Sequence, residues 1–212
     1  MALVKYNDRS LRNLTTAPAA VTGNSPGALV HIKTLTASSS ATLTFLHGSS
    51  DVVFNSTYPI YKLVYTSMHP SQQSIFSFQT TTDGTNYNTS VTSTSFGAYQ
   101  NEGGSDTDLG YEAGQDQANG TAFQGLMSFG SNIADNDAAF SGELTIFNPS
   151  STTFVKHWMS DLNFYGGSNY SQRSQHAGYF NTTSAITGIQ FKMINSGNID
   201  SGTIKLYGIK DS

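Results

Sequence analysis

Nine carboxylates, Asp83, Glu102, Asp106, Asp108, Glu112, Asp116, Asp135, Asp137 and Glu143, fall between Lys62 and Lys156 with no lysine or arginine among them. Acids in such number invite two chemistries. Paired on facing elements about 5–10 Å apart, two of them could cleave a glycosidic bond. Gathered on one loop, they could hold calcium. Asp106-Thr107-Asp108-Leu109-Gly110-Tyr111-Glu112 comes nearest to the second. It lacks a third closely spaced oxygen ligand ahead of its glycine, and Glu112 comes too early for the bidentate position. It reads as a solvated polar loop. Asp135-Asn136-Asp137 reads as an ordinary acidic turn. No motif stands behind a glycosidase.

The other catalytic vocabularies are missing. His31, His47, His69, His157 and His176 share no H-x-x-x-H or H-x-H spacing, so a metal site would have to be assembled from separate strands. Each reads more simply as a strand or loop residue with an ordinary hydrogen bond. The chain has no cysteine, hence no disulfide, thiolate ligand or thiol nucleophile, and no G-x-S-x-G elbow. Gly166-Gly167 precedes Ser168 and Asn169 without the lysine and helix of a phosphate loop. The expectation is a protein that is not an enzyme and uses no metal or cofactor.

Aromatics are the remaining hint. Tyr165 and Tyr170 bracket a glycine-rich loop, and Tyr99 and Tyr111 flank the acidic stretch. Flat rings beside polar side chains could stack on sugars, as in a receptor or glycan loop. The plainer alternative is that they pack on their own loops or into a subunit interface.

The elements that must position these residues are strands. Ala28–Ala37, Ala41–Leu46, Tyr58–Tyr65, Ile75–Gln79, Val91–Tyr99, Phe123–Phe129, Gly142–Phe147, Thr153–Met159 and His176–Phe180 are each rich in β-formers or alternate apolar with polar residues. Asp83-Gly84-Thr85-Asn86 has hairpin-turn chemistry. Residues 101–120 form the longest stretch without a strand pattern and read as a surface excursion. At the end of the chain, Ile189, Phe191 and Met193 alternate with polar residues, Asn195-Ser196-Gly197-Asn198 supplies a turn, and Ile204 and Leu206 begin a closing strand. This pattern predicts a sealing hairpin. About eight to ten strands so spaced predict an all-β protein, a single β-sandwich of jelly-roll type spanning residues 28–212.

Residues 1–27 stand apart as an N-terminal arm. Tyr6, Arg9, Leu11, Arg12 and Leu14 make it either a docking arm or a frayed terminus. Charged residues are 11% of the chain against the usual roughly 25%, so solubility rests on Ser, Thr, Asn and Gln. The absence of a concentrated basic patch argues against nucleic acid. No apolar run approaches a membrane span or a signal-peptide core, so the chain is expected to be made in a cytoplasm and not to engage a membrane.

Four segments carry a resemblance. Met1 to Leu14 opens M-A-L-V-K-Y-N-D-R-S-L. Leu35 to Phe45 reads L-T-A-S-S-S-A-T-L-T-F, and Phe147 to His157 reads F-N-P-S-S-T-T-F-V-K-H. Ala177 to Ile209 begins A-G-Y-F-N-T-T-S-A-I and ends S-G-T-I-K-L-Y-G-I. Together they resemble a group of virion proteins of marine tailed phages, including cyanophages, and the ending is the most specific part. The resemblance implies a non-enzymatic particle component of head or tail, made in the host cytoplasm and located in the virion. Its expected partners are other virion proteins and further copies of itself, for instance in a trimer. A capsid decoration (cement) protein docked through the arm is the leading expectation. The alternatives are a tail-fibre or tail-tip protein meeting a host surface glycan, and a free carbohydrate-binding module.

Overall fold

In a computed structural model the residues described are 29–127, 133, 136–167 and 169–210. The arm residues Tyr6, Arg9, Leu11, Arg12 and Leu14, together with Asp135, lie outside them. Twelve strands and no helix occur among the described residues. The larger sheet contains β1 (Leu29–Thr36), β3 (Ile60–Pro70), β5 (Val91–Asn101), β6 (Thr107–Tyr111), β8 (Phe140–Phe147), β9 (Lys156–Gly166), β10 (Tyr170–Phe180) and β12 (Ile199–Ile209). The smaller contains β2 (Leu43–Leu46), β4 (Phe76–Thr81), β7 (Gln124–Gly125) and β11 (Gly188–Met193). Their orders are β1-β12-β3-β8-β9-β10-β5-β6 and β2-β11-β4-β7, with every pairing antiparallel. This is an all-β sandwich. Sheets of eight and four strands do not by themselves establish the eight-strand double Greek key of a jelly roll.

Alternation builds the core. Tyr61, Leu63 and Tyr65 on β3 face inward beside Leu144 and Ile146 on β8 and Trp158, Leu162 and Phe164 on β9, all fully or almost fully buried. The small sheet answers with Phe45, Phe76, Phe78, Ile189 and Phe191. Phe191 is the hub: it stacks on Phe76 at 5.4 Å and meets Tyr65 edge-on at 5.6 Å, with Phe45 and Phe78 also against it. Trp158 fits because its β10 neighbour is Gly178, where an added Cβ would come within 2.8 Å of the indole.

Several expectations are corrected. The two closing strands do not form a hairpin, because β11 joins the small sheet and β12 the large one. The Asn195–Asn198 turn carries the chain from one layer to the other. The turn at Asp83 does the same between β4 and β5. There Asp83 accepts bonds from the Asn86 and Thr85 amides, which holds its carboxyl far below the usual range, but the strands it joins part into different sheets. Turn residues specify reversal; they do not specify that the ladder continues. Of the strand expected at Phe123–Phe129, of which residues 123–127 are described, only Gln124–Gly125 forms a ladder among those residues.

The excursion at 101–120 is no free loop either. Thr107–Tyr111 forms β6 along β5, and farther on Ser93 N–H bonds the Gln117 carbonyl while Val91 and Gly120 exchange amide bonds. Neither side of β6 is covered, so no alternation of apolar and polar residues marks it.

Candidate binding surface

The inner face of β5 and β10 is polar. Ser93, Ser95, Gln172, Ser174 and His176 are buried there. Ser95 Oγ and His176 Nε2 share a hydrogen bond of 2.9 Å, and His176 Nδ1 finds no protein partner. Burial pushes the His176 imidazole down to a pKa of about 4. Ser93 Oγ donates to Gln124 Oε1 at 2.7 Å, while Gln124 Nε2 donates to the Gln115 and Gly125 carbonyls. At the start of β9, Lys156 is buried without a carboxylate, its Nζ donating to the Thr182 and Ser184 carbonyls; burial lowers its pKa. These groups hold loops to strands. Ser95 and His176 set a hydroxyl beside an imidazole, but both are buried and no third group orients the ring through Nδ1; among the described residues no three His, Asp or Glu side chains gather as metal ligands would.

The remaining histidines are likewise engaged. His31 bonds Thr34, His47 accepts from the Phe54 amide, His69 donates to the Ala138 carbonyl at 2.6 Å, and His157 meets the Tyr179 ring.

The four tyrosines do not form one site. Tyr99 and Tyr170 come together at one end of the large sheet, their rings 5.5 Å apart and edge-to-face. Tyr170 donates to Asp106 at 2.6 Å, and this bond raises its pKa. By register Tyr99 lies opposite Gln172, on the inner side, whereas Tyr165 lies opposite Ser171 on the outer side, its hydroxyl bonded to Asn169. Tyr111 lies opposite Phe96 on the outer face, and its hydroxyl donates to Asp116.

That outer face is the most unusual surface of the molecule. Six large apolar side chains stand out as exposed among the described residues, and all but Phe154 lie on it: Leu29 (52%), Phe96 (44%), Leu109 (72%), Tyr111 (55%) and Met159 (57%). The register aligns them in rows. Leu29, Ile209, Ile60 and Phe147 are successive cross-strand neighbours. Thr145, Met159, Ala177 and Thr94 make a second row, and Gln175, Phe96 and Tyr111 a third. Two shallow depressions of about 300 and 370 Å³ adjoin there, sharing Phe147, Met159 and Ala177. Four of the face's charges are paired with one another, Lys62 with Glu143 at 2.7 Å and Arg173 with Asp161, while Lys205 projects from the same face on β12. Most of the face is otherwise apolar or neutral area.

Sequence reading missed Phe96, Phe147 and Met159. A signal existed: Ile146-Phe147 and Trp158-Met159 put apolar residues on both sides of their strands, the mark of a sheet covered on two faces.

No family model and no curated protein matches the chain. A crystal structure of a structural-genomics protein of unknown function from Bacteroides ovatus is similar at 8% identity over 52% of this chain, with a TM-score of 0.27. The match spans 46% of that protein's length and is too slight to bear on fold or function.

Proposed function

We propose that the chain is a non-enzymatic structural protein of a phage particle, a decoration protein on the head. One observation carries the reading beyond the resemblance of its segments: a polar, weakly charged sandwich bears a band of exposed apolar side chains on one sheet face. A protein built to act alone gains nothing from such a band, whereas one built to assemble buries it. Hydrogen-bonded sheets without cysteine also suit a chain that folds in a reducing cytoplasm and then serves outside it.

Quantitative mass spectrometry of purified virions against the major capsid protein tests this. Hundreds of copies, in a simple ratio to the capsid lattice, are expected. A few to a few dozen would favour the second reading, a tail-fibre or tail-tip protein, for which the Tyr99–Tyr170 pair at the end of the sheet is the candidate glycan contact. Absence from the particle would overturn both and favour a free carbohydrate-binding module.

A further inference from the structure

We propose that a polar trough on the outer side of β9, β10 and β5, where the β9–β10 connection ends the sheet, binds a neutral saccharide. This role is separate from assembly. The rows that hold Phe147, Met159 and Phe96 lie farther along the strands, so a partner seated on them need not cover the trough.

The register builds it. Ser171 of β10 has Gln100 of β5 on one side and Tyr165 of β9 on the other. A serine between two long side chains leaves a depression, and one of about 420 Å³ lies there. Glu102, just past the end of β5, and Asn163, at the next outward position of β9, complete its lining. Across β10, the strands β5 and β9 are about 10 Å apart, room for one sugar ring with its hydroxyls.

The lining has hydrogen-bonding capacity to offer. Gln100 and Glu102 are exposed, and their side chains engage no partner among the described residues. Asn163 uses Nδ2 on Ser171 Oγ and the Gln172 carbonyl, which fixes the amide and leaves Oδ1 as an acceptor. Ser171 accepts in that bond and keeps its own proton to donate. Tyr165 is anchored through its hydroxyl to Asn169, which makes its ring a fixed wall.

This set selects the ligand class. A sugar presents adjacent hydroxyls, each a donor and an acceptor, and a face of C–H groups. The planar Gln100 amide and Glu102 carboxylate suit neighbouring hydroxyls, and an aromatic wall suits the C–H face. A concave site with a few convergent polar groups is the usual form of a small-ligand site. Glu102 is the one charged side chain in the lining, and the nearby Arg173 is already held by Asp161. Sialylated, sulfated and phosphorylated glycans are therefore disfavoured. The Tyr99–Tyr170 pair lies on the inner side of the same strands and is a different surface.

The test applies the full chain to an array of neutral, sialylated and sulfated oligosaccharides. Binding to some of the neutral ones is expected. The best of them, titrated free in solution by NMR, should bind about tenfold more weakly to Gln100→Ala and to Asn163→Ala chains. Both positions are exposed, so folding survives, and the near-ultraviolet signal of buried Trp158 verifies it. Tyr170→Phe, on the inner side, should bind as the native chain does. No neutral ligand, a preference for acidic glycans, or affinity unchanged by both alanine substitutions would each overturn the proposal. So would an equal loss in the Tyr170→Phe protein.

Discussion

The interior of the sandwich changes character across its width. Beneath β3, β8 and β9 it is aromatic: Tyr65, Phe76, Phe78, Phe140, Trp158 and Phe191 touch in a continuous set of ring contacts. Beneath β10 and β5 it is built from Ser93, Ser95, Gln172, Ser174 and His176, with Ser93 hydrogen-bonded to the overlying Gln124 and Ser95 to His176. The first region is held by contact area, which is non-directional and indifferent to pH. The second is held by donors and acceptors that must meet, and it includes a titratable ring. One sheet thus contains two kinds of cohesion, and they should fail under different conditions.

The largest effect belongs to the aromatic side. Phe191→Ala removes the ring at the hub and should cost about 3–5 kcal/mol, read as a fall in the urea midpoint. The loss should be the same at neutral and at acid pH. A pH-dependent loss would show that the two regions are not separable.

The next effect is confined to the polar side. The folded pKa of His176, about 4, lies below the ordinary 6.5. Between those values the unfolded chain binds the proton and the folded chain does not, so stability present above about pH 6.5 is lost as pH falls towards 4. The shift corresponds to about 3 kcal/mol. Urea titrations at several pH values should trace this slope in the native chain, and His176→Gln should flatten it through that window. A slope unaffected by the substitution would place the acid sensitivity elsewhere.

The smallest effect is a control on the outer face. Arg173→Ala breaks the pair with Asp161, whose carboxyl that guanidinium holds below the usual range. Both side chains are well exposed, so the cost should be about 0.5 kcal/mol or less and should shrink in high salt. A loss as large as that at Phe191 would mean that the outer face, not the interior, limits stability.

The same division explains what could be read from the sequence. β3 was legible because Tyr61, Leu63 and Tyr65 alternate with Lys62 and Val64 over a covered face. Only the last part of β10, His176–Phe180, was legible, because its earlier inward positions are Gln172 and Ser174, which look like solvent-facing residues. β6 has no covered face and so leaves no period. Of the site, the tyrosines were visible as residue types, but pairing Tyr99 with Tyr170 and separating them from Tyr165 depends on register, which no local pattern encodes. Met159 drew no attention because a single exposed apolar residue is unremarkable until Phe96, Phe147 and Leu29 are found on the same face.

The position of β12 has a bearing on synthesis. It lies between β1 and β3, and among the described residues β1 has no other neighbour in the sheet; Leu29 pairs with Ile209. On the ribosome, the first of the described strands to emerge therefore waits for its β12 partner until nearly all of the residues described have been translated. β8, β9 and β10, adjacent in sequence and in space, can zip together long before. The fold has a high contact order at its margin and a low one at its centre, so that margin should be the slow step of maturation. A ribosome stalled ahead of Ile199 would leave β1 and the open side of β3 as two bare strand edges, the form of this chain most prone to aggregate.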